Sequence, residues 1–415
     1  MKPQKTVICG MDALCCLGTE SDEIWKRLLA GESGIRPLTR FPVSGNFPVT
    51  VAGEAPEPDR AAYPFLSARS MALWPSPIFG YALLTVHRAL KQAGIEITPD
   101  IASRTAITYS SAVGGQDALI AADRRLQSEG RLPPPYANPN SCINMTGGKI
   151  SMLTGATGPI TATITACATG ATSIAMGSLL LESGRADLAI CGAVDSPLVE
   201  SIVAGFATMN AACRDREEEG DPHEMSRPFA VHRKGLVISE GAAALILTTA
   251  EFARAHGLHP LAELAGWSMT SDARHYVAPH LATVRRCMEE ALADAGISPD
   301  QIDAVNAHGT STRTGDRVEY EALDAVFHGR IPPLAANKSQ IGHAMGAGSA
   351  LESVFAIRGM EDRILPPTLN FRPDPALDLS TSISDTARSL SQEYALKNAF
   401  GFGGCNTCLV FRRIP

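Results

Sequence analysis

Apolar positions along the chain fall into two patterns, short continuous runs and longer stretches with a helical period. In the first half, the short runs predict buried strands at 6–11, 105–112, 159–167, 186–194 and 241–249. The stretches with helical period predict helices at 21–31, 77–94 and 168–184. Because strands alternate with helices, the chain is predicted to be an α/β protein.

The same alternation begins again after residue 250. Helices are predicted at 280–296, 314–329 and 349–363, and strands at 301–309 and 406–414. Two successive stretches of similar element order predict an internally duplicated fold. We therefore divide the chain into an N-terminal half, residues 1–250, and a C-terminal half, residues 251–415.

Length, composition and charge narrow the class of protein. The 415 residues are 45% hydrophobic and 19% charged, which is typical of globular proteins, and the formal charge is −7. No Lys/Arg-rich block predicts nucleic-acid binding, although a local basic patch would suffice for an acidic partner. No apolar run is long enough to span a membrane, and Asp12 interrupts the apolar stretch near the N-terminus. We expect a cytoplasmic protein, with the charged run 213–225 as a solvated loop.

The ten cysteines are too dilute for a disulfide scaffold. Two close pairs, Cys15 with Cys16 and Cys405 with Cys408, are candidates for a metal or redox site. Neither pair has a second group of Cys and His nearby in sequence to complete a zinc site. Reduced structural thiols and no bound metal are therefore predicted.

One cysteine, Cys167, lies in "TITACATGATSIAMG", at the predicted junction of a strand and a helix. A buried cysteine is commonly an inert small hydrophobe. At this junction, however, small neighbours let a substrate approach, and a helix N-terminus favours a thiolate and offers N–H groups to an oxyanion. Cys167 is therefore a candidate nucleophile, although this feature alone is weak evidence.

The C-terminal half supplies residues that fit a nucleophilic cysteine. His308 follows a predicted strand in "NAHGTSTRTGD", and "NKSQIGHAMGAG" places Lys338 five residues before His343. Phe400 and Phe402 lie in the glycine-rich "NAFGFGGCN". Two glycine-flanked histidines together with a candidate nucleophile favour catalysis over packing.

Together these motifs resemble those of β-ketoacyl-acyl-carrier-protein synthases, condensing enzymes of the thiolase-like family. The matching motifs are "TAC" at 165–167, "HGTST" at 308–312, "KSQIGH" at 338–343 and "NAFGFGG" at 398–404. The chain is most similar to elongating synthases of dissociated fatty-acid and polyketide systems. The resemblance implies a thiolase-like fold of five αβαβα layers built from two duplicated halves.

The resemblance also implies roles for the catalytic residues. Cys167 would carry an acyl chain as a thioester, and the backbone N–H groups of Cys167 and Phe402 would form the oxyanion hole. His308 and His343 would stabilise the enolate that malonyl decarboxylation produces. Lys338 would form a buried ion pair with Glu352.

Further residues would bind or gate the substrate. Thr310 and Thr312 are expected to bond the pantetheine arm, and Phe402 is expected to be a gate beside Phe400. Asp272 and His275 are assigned to a second loop that moves with the gate. Acyl-pocket positions, for which ordinary core packing is an equal alternative, are Met145, Ile202 and Phe206.

The resemblance implies an acyl carrier protein as partner and no cofactor, because phosphopantetheine arrives on the carrier. Homodimers and heterodimers with a chain-length factor both occur in the family. The loop after His275 is shorter than in housekeeping enzymes, which suggests an unusual acyl chain such as a polyene, an aryl group or a short polyketide starter.

Three other protein classes share some of these features, and each differs from this chain at particular residues. A non-catalytic chain-length-factor-like subunit normally lacks the cysteine, whereas this chain keeps Cys167. A thiolase would have a second cysteine where His343 stands. An unrelated cysteine hydrolase would lack the Lys338–Glu352 pair and the "GFGG" turn. A decarboxylating synthase is therefore the main prediction.

Overall fold

A computed structural model describes residues 5–43, 45–214 and 220–414; part of the predicted charged loop, residues 215–219, lies outside them. The strands are β1 Thr6–Cys15, β2 Arg36–Pro37, β3 Val51–Ala52, β4 Thr105–Ser110, β5 Leu188–Asp195, β6 Gly241–Thr249, β7 Ala262–Ser271, β8 Ala304–Asn306, β9 Leu334–Ala335, β10 Ile364–Leu365, β11 Arg388–Ser389, β12 Tyr394–Gly401 and β13 Cys405–Arg413. The helices are α1 Ser21–Leu29, α2 Ala68–Leu73, α3 Pro77–Ala93, α4 Pro99–Ala102, α5 Gln116–Glu129, α6 Ala137–Ser141, α7 Met145–Thr154, α8 Thr169–Glu182, α9 Glu200–Thr208, α10 Ala250–Ala255, α11 Leu281–Ala295, α12 Arg313–Val326, α13 Lys338–Ile341 and α14 Met345–Asp362.

The large sheet contains the same strand arrangement twice. Its order is β4-β5-β6-β1-β7-β13-β12-β8-β9. On one side, β5 runs parallel to β4 and antiparallel to β6, and β6 runs antiparallel to β1. On the other side, β12 runs parallel to β8 and antiparallel to β13, and β13 runs antiparallel to β7. The predicted duplication is therefore visible in the topology, while the division at residue 250 stays a prediction.

The two sheet regions join through only three residue pairs between β1 and β7. Helices α8 and α14 lie between them: α8 packs on β5 and β4, and α14 packs on both β6 and β12. Helix α3 covers the outer face of β1 and β6, α11 covers the outer face of β7 and β13, and α12 packs against α11. This arrangement gives the five αβαβα layers that were predicted. Within the described residues, no helix is both long and apolar enough to cross a membrane.

The predicted strand at 159–167 is wrong over most of its length. Ile160 forms one parallel bridge with Ile107, and the Thr161 N–H donates to the Ile107 carbonyl. Beyond that point the chain turns toward α8, because the Thr165 N–H donates to the Thr169 hydroxyl and the Thr165 hydroxyl contacts that of Thr172. Local hydrogen bonds to the helix thus replace the sheet ladder. Strands β7 and β12 were not predicted.

The two central helices approach closely where they begin. A methyl group built on Gly170 of α8 would lie 2.6 Å from the Ala350 nitrogen of α14. One built on Gly346 of α14 would lie 2.8 Å from the Thr169 Cβ. Only glycine allows this approach, which brings both helix N-termini to one point.

We predict that Gly170→Ala lowers the free energy of unfolding by about 1–3 kcal/mol, because the added methyl group overpacks the helix crossing. The matched control is Gly205→Ala in α9, where a Cβ would meet no atom within 4 Å. That change should raise the free energy of unfolding by up to about 1 kcal/mol through helix propensity alone. Guanidinium denaturation of both variants measures the effects, and shifts of the same sign would contradict the packing argument.

Candidate active site

Cys167 lies in a single 3-10 turn, Ala166–Ala168, that leads directly into α8. Ala166 has φ 49°, a left-handed conformation that is uncommon for a residue with a side chain. Gly401, at the end of β12, packs against this turn, and a Cβ there would lie 2.2 Å from the Thr165 carbonyl oxygen. The absence of a side chain at 401 therefore lets the glycine-rich segment reach the nucleophile.

A cavity of about 500 Å³ opens at Cys167. Seven predicted site residues line it: Cys167, His308, Thr310, Thr312, His343, Phe400 and Phe402. Lys234 and Arg313 also line the cavity, and both are exposed, so its mouth carries positive charge. Residues that are far apart in the sequence, from Cys167 to Phe402, thus meet in one cavity.

The two histidines form a close pair. The ring centroids of His308 and His343 are 5.7 Å apart, with the rings nearly perpendicular. Burial, followed by the ammonium of Lys338, holds the pKa of each imidazole well below its ordinary value. At neutral pH both rings are therefore uncharged, and each carries one N–H donor.

Lys338 lies behind the cavity, where it is almost fully buried. Its Nζ is 2.6 Å from Glu352 Oε1 and donates at 2.7 Å to the His308 carbonyl oxygen. The structure therefore contains the predicted Lys338–Glu352 ion pair. A buried lysine bonded to a carboxylate and a carbonyl is an electrostatic support rather than a free base.

The cysteine thiol does not have the low pKa that its position at a helix N-terminus suggested. Burial raises the pKa of Cys167 to about 12, although Lys338 and the backbone N–H groups of Phe402 and Cys167 act in the opposite direction. The same two N–H groups interact with the Cys167 sulfur, so they are donors available to an oxyanion that forms beside it. At neutral pH the Cys167 thiol is therefore uncharged.

The threonines and phenylalanines lie at the cavity wall. The hydroxyls of Thr310 and Thr312 are 2.9 Å apart. The Phe400 ring packs edge-on against His308 at 5.5 Å, and the Phe402 ring lies 6.2 Å from that of Phe206. Of the possible acyl-pocket residues, neither Phe206 nor Met145 nor Ile202 lines the cavity in this conformation.

Asp272 and His275, which were assigned to a second loop, do not line the cavity. Asp272 is buried and accepts hydrogen bonds from Asn406 Nδ2 and the His280 N–H. His275 Nδ1 accepts from the Val277 and Ala278 N–H groups of its own loop. Both side chains shape the loop, whose residues 277–279 do reach the cavity.

The loop that follows β7 is tied to the glycine-rich turn after β12. The Gly403 N–H donates to the Tyr276 carbonyl, and the Asp272 N–H donates to the Gly404 carbonyl. A Cβ on Gly404 would lie 2.7 Å from the Asp272 Cβ. A displacement of one segment therefore requires adjustment of the other.

Three buried ionisable groups at the site were not predicted from the sequence. Glu319 accepts from the His308 and Gly309 N–H groups at 2.8 Å, and Lys397 lies 2.9 Å from Glu352 Oε2. Asp195 accepts from the Val113 and Ala347 N–H groups, and burial raises its pKa to about 6. A lysine immediately before "NAFGFGG", within an otherwise apolar strand, was the available signal for Lys397.

The other cysteines are free thiols. Cys408 is buried, and its sulfur lies 3.4 Å from Asn398 Oδ1, while Cys405 is half-buried four residues after Gly401. Across residues 5–43, 45–214 and 220–414, no group of three or more His, Cys, Asp and Glu is arranged to hold a metal ion.

Comparison with known families agrees with this geometry. The N-terminal domain of β-ketoacyl synthases matches residues 4–253, and the C-terminal domain matches residues 261–372. The chain therefore belongs to the β-ketoacyl synthase family. Among curated relatives, the 3-oxoacyl-(acyl-carrier-protein) synthase 2 of Coxiella burnetii is 32% identical, with both chains fully covered. That of Staphylococcus aureus strain COL is 34% identical over 99% of this chain and 98% of the relative.

Solved structures show the same fold. A β-ketoacyl synthase from Burkholderia phymatum has a TM-score of 0.91 at 32% identity, covering 99% of this chain and all of the other. The ishigamide ketosynthase/chain length factor has a TM-score of 0.89 at 29% identity, with full coverage of both chains. A type II PKS ketosynthase in complex with its acyl-carrier protein has a TM-score of 0.89 at 26% identity, also with full coverage. The predicted family, fold class and type of enzyme are confirmed.

We predict that alkylation of Cys167 by iodoacetamide accelerates about tenfold for each pH unit between pH 7 and 10, because the thiolate fraction of a thiol with a pKa of about 12 still rises throughout that range. Free cysteine in solution, the control, should level off above about pH 9. Mass spectrometry of the peptide that contains residue 167 follows the reaction. A plateau for Cys167 below pH 9 would show that the protein stabilises the thiolate.

Proposed function

We propose that this chain is an elongating synthase that joins an acyl group carried on Cys167 to the two-carbon unit of a malonyl-carrier thioester. The observation that carries the proposal is the convergence of Cys167, His308 and His343 on one cavity with the Lys338 ammonium behind them. Each of these groups has a distinct part in the two half-reactions.

The first half-reaction is acyl transfer to the cysteine. The Cys167 sulfur attacks the thioester carbonyl, the carbonyl–sulfur bond to pantetheine breaks, and the thiol proton leaves on the pantetheine sulfur. The N–H groups of Cys167 and Phe402, which contact the sulfur, stabilise the oxyanion that forms next to it. The neutral resting thiol suits this step, because the proton it loses is the proton that the departing thiol requires.

The second half-reaction begins with decarboxylation. The bond between the malonyl α-carbon and its carboxylate breaks, carbon dioxide leaves, and the electron pair moves toward the thioester oxygen. The uncharged rings of His308 and His343 donate N–H groups to that oxygen as its charge grows. The α-carbon then attacks the Cys167 thioester, and the carbonyl–sulfur bond breaks with its electron pair on the sulfur. The Cys167 thiolate takes up a proton from the solvent, and a 3-oxoacyl chain two carbons longer is released on the carrier.

An acyl carrier protein is the proposed partner. The ketosynthase of similar structure that was solved with its acyl-carrier protein supports this proposal. The exposed Lys234 and Arg313 at the cavity mouth suit the phosphate of a phosphopantetheine arm, and Thr310 and Thr312 can bond its amides inside. The carrier would bring this group, so the chain needs no organic cofactor of its own.

We further propose that the chain forms a homodimer in the cytoplasm. Ile160, which bridges to Ile107 at the outer edge of β4, is 43% exposed. Ile164, four residues further along the same segment, is 48% exposed, and Met152 of the neighbouring α7 is 78% exposed. An apolar, unpaired sheet edge favours association with a second copy. The ten free thiols are typical of a reducing compartment. The heterodimer with a chain-length factor is the alternative assembly.

We predict that intact-protein mass increases by one acyl group when the chain is mixed with an acyl-carrier thioester, and that Cys167→Ala shows no increase. Acetyl, medium saturated, polyunsaturated and aryl-propenoyl chains are tested singly to identify the substrate class. His308→Ala and His343→Ala should still load Cys167 yet release carbon dioxide from malonyl carrier at least about 100-fold more slowly. Loading of Cys167→Ala, or unchanged decarboxylation in both histidine variants, would contradict the proposed roles.

We predict a mass near twice the 43.8 kDa of one chain in light scattering at micromolar concentration. Ile164→Arg should reduce this mass toward that of one chain, because it places a charge on the apolar edge. The control is Val231→Arg, at a residue that is 52% exposed on another part of the surface. A wild-type monomer that dimerises only with a second, different chain would favour the heterodimer.

A further inference from the structure

Lys397 is a lysine that the half-reactions above do not use. It lies on β12, one residue before the Asn398–Gly404 segment, and is completely buried. Its Nζ lies 2.9 Å from Glu352 Oε2 and donates to the Asn398 carbonyl. Full burial of an ammonium is costly unless it is paired, so its position requires an explanation.

Glu352 bridges two ammonium groups. Its Oε1 contacts Lys338 at 2.6 Å, and its Oε2 contacts Lys397 at 2.9 Å. All three side chains are buried among the central helices and the second sheet region. Lys397 thus forms an ion pair with the carboxylate oxygen that Lys338 does not contact, and that oxygen accepts no hydrogen bond from the described residues.

The peptide groups on both sides of His308 are connected to Lys397. The His308 carbonyl accepts from Lys338, which Glu352 links to Lys397. The His308 N–H donates to Glu319, and Glu319 accepts from the Nδ2 of Asn398 at 3.1 Å. The backbone carbonyl of Asn398 in turn accepts from Lys397. Two paths of polar contacts therefore leave the backbone of His308 and meet at one ammonium, the first through the Glu352–Lys397 ion pair and the second through hydrogen bonds.

We propose that Lys397 is a positioning residue for the decarboxylation step: through Glu352 and Asn398 its ammonium holds the His308 backbone and the uncharged histidine pair in working geometry. This inference rests on the proposed function. It assigns no contact with substrate to Lys397, which acts only through the groups that it orders.

The electrostatic setting of Lys397 supports the same role. The charged and titratable groups around it are Glu352 from α14, Lys338 from α13, Glu319 from α12, Cys408 from β13, and the two histidines. After burial and Lys338, Lys397 contributes to the lowered pKa of both His308 and His343. Removing its charge would raise both pKa values, so the rings would become protonated at a higher pH.

Protonated rings would disfavour decarboxylation. Two imidazolium ions would repel each other and Lys338. An imidazolium would also stabilise the malonyl carboxylate, the group that has to leave, and so would lower the energy of the ground state. Acyl loading does not use the histidines in this way, so the two half-reactions should respond differently to a change at residue 397.

The test is Lys397→Met, which keeps the length of the side chain without its charge. Cys167 loading is followed by intact mass, and carbon dioxide release from malonyl carrier is followed between pH 5.5 and 8.5. We expect loading within about twofold of wild type, and decarboxylation that is at least about tenfold slower at pH 6 and recovers toward pH 8.5. The acid limb of the decarboxylation profile should move to higher pH.

The matched control is Leu396→Ala. Leu396 is buried in the outer core of the C-terminal half, on the opposite face of the same strand, so this change weakens packing without altering charge. Its acid limb should stay at the wild-type pH. Lys397→Gln, which keeps N–H donors but no charge, repeats the test if the Met variant does not fold.

Several results would overturn the inference. These are an acid limb that does not move in the folded variant, an equal loss of both half-reactions, or failure of both Lys397 variants to fold while Leu396→Ala folds. If the wild-type chain itself releases no carbon dioxide from malonyl carrier, the proposed function fails. If wild type is active and the variant profile is unshifted, only the role of Lys397 fails.

Discussion

The geometry of the site depends on the Glu352 carboxylate, buried between the ammonium groups of Lys338 and Lys397. The pair with Lys338 places a positive charge near Cys167 and both histidines. This charge lowers the pKa of Cys167, which burial raises, and it lowers the pKa of both histidines, which burial also lowers. An ammonium buried at this depth is costly unless a carboxylate pairs with it. Glu352 itself is placed by α14, whose first turn packs against α8 at Gly170 and Gly346. The glycines at the helix crossing, the ion cluster and the reactive groups therefore form one connected arrangement.

Burial leaves the nucleophile and the histidines uncharged for the same physical reason. A site closed to water disfavours every isolated charge, so a thiol pKa rises and an imidazole pKa falls. This differs from an exposed, activated thiolate, which would react with many electrophiles. In the proposed acyl transfer, the thioester places its carbonyl oxygen between the Cys167 and Phe402 N–H groups, and its sulfur takes the thiol proton. The negative charge of the oxyanion then forms where N–H donors already point, so the surrounding protein groups need little reorganisation.

The sequence predicted the residues that meet at the cavity better than it predicted the elements that carry them. Cys167, His308 and His343 lie in short motifs whose local chemistry is visible in the chain itself. The strand expected at 159–167 was wrong because its alternating Thr and Ile also suit an extended segment at a sheet edge, and only contacts with Thr169 and Thr172 of α8 show where it leaves the sheet. Lys397 was missed because its strand was not predicted and because a lysine is seldom buried. Its burial depends on Glu352 of α14, 45 residues earlier in the sequence. The side chains of Asp272 and His275 were predicted in the correct loop, but not the direction in which they point.

The duplicated topology explains why a single cavity contains both the cysteine and the two histidines. Helix α8 follows the Ile160 segment of the first half, and α14 follows β9 of the second, so the two helices occupy equivalent places in the repeated arrangement. Cys167 stands directly before α8, and His343 stands directly before α14. The segments after β4 and β8 are also equivalent: the first supplies apolar Ala112 and Val113, and the second supplies His308. Because the halves meet at their central helices, Cys167 from the first half and His308 and His343 from the second line one cavity. The first half thus supplies the thiol and the second supplies the imidazole N–H donors, a combination that neither half contains alone.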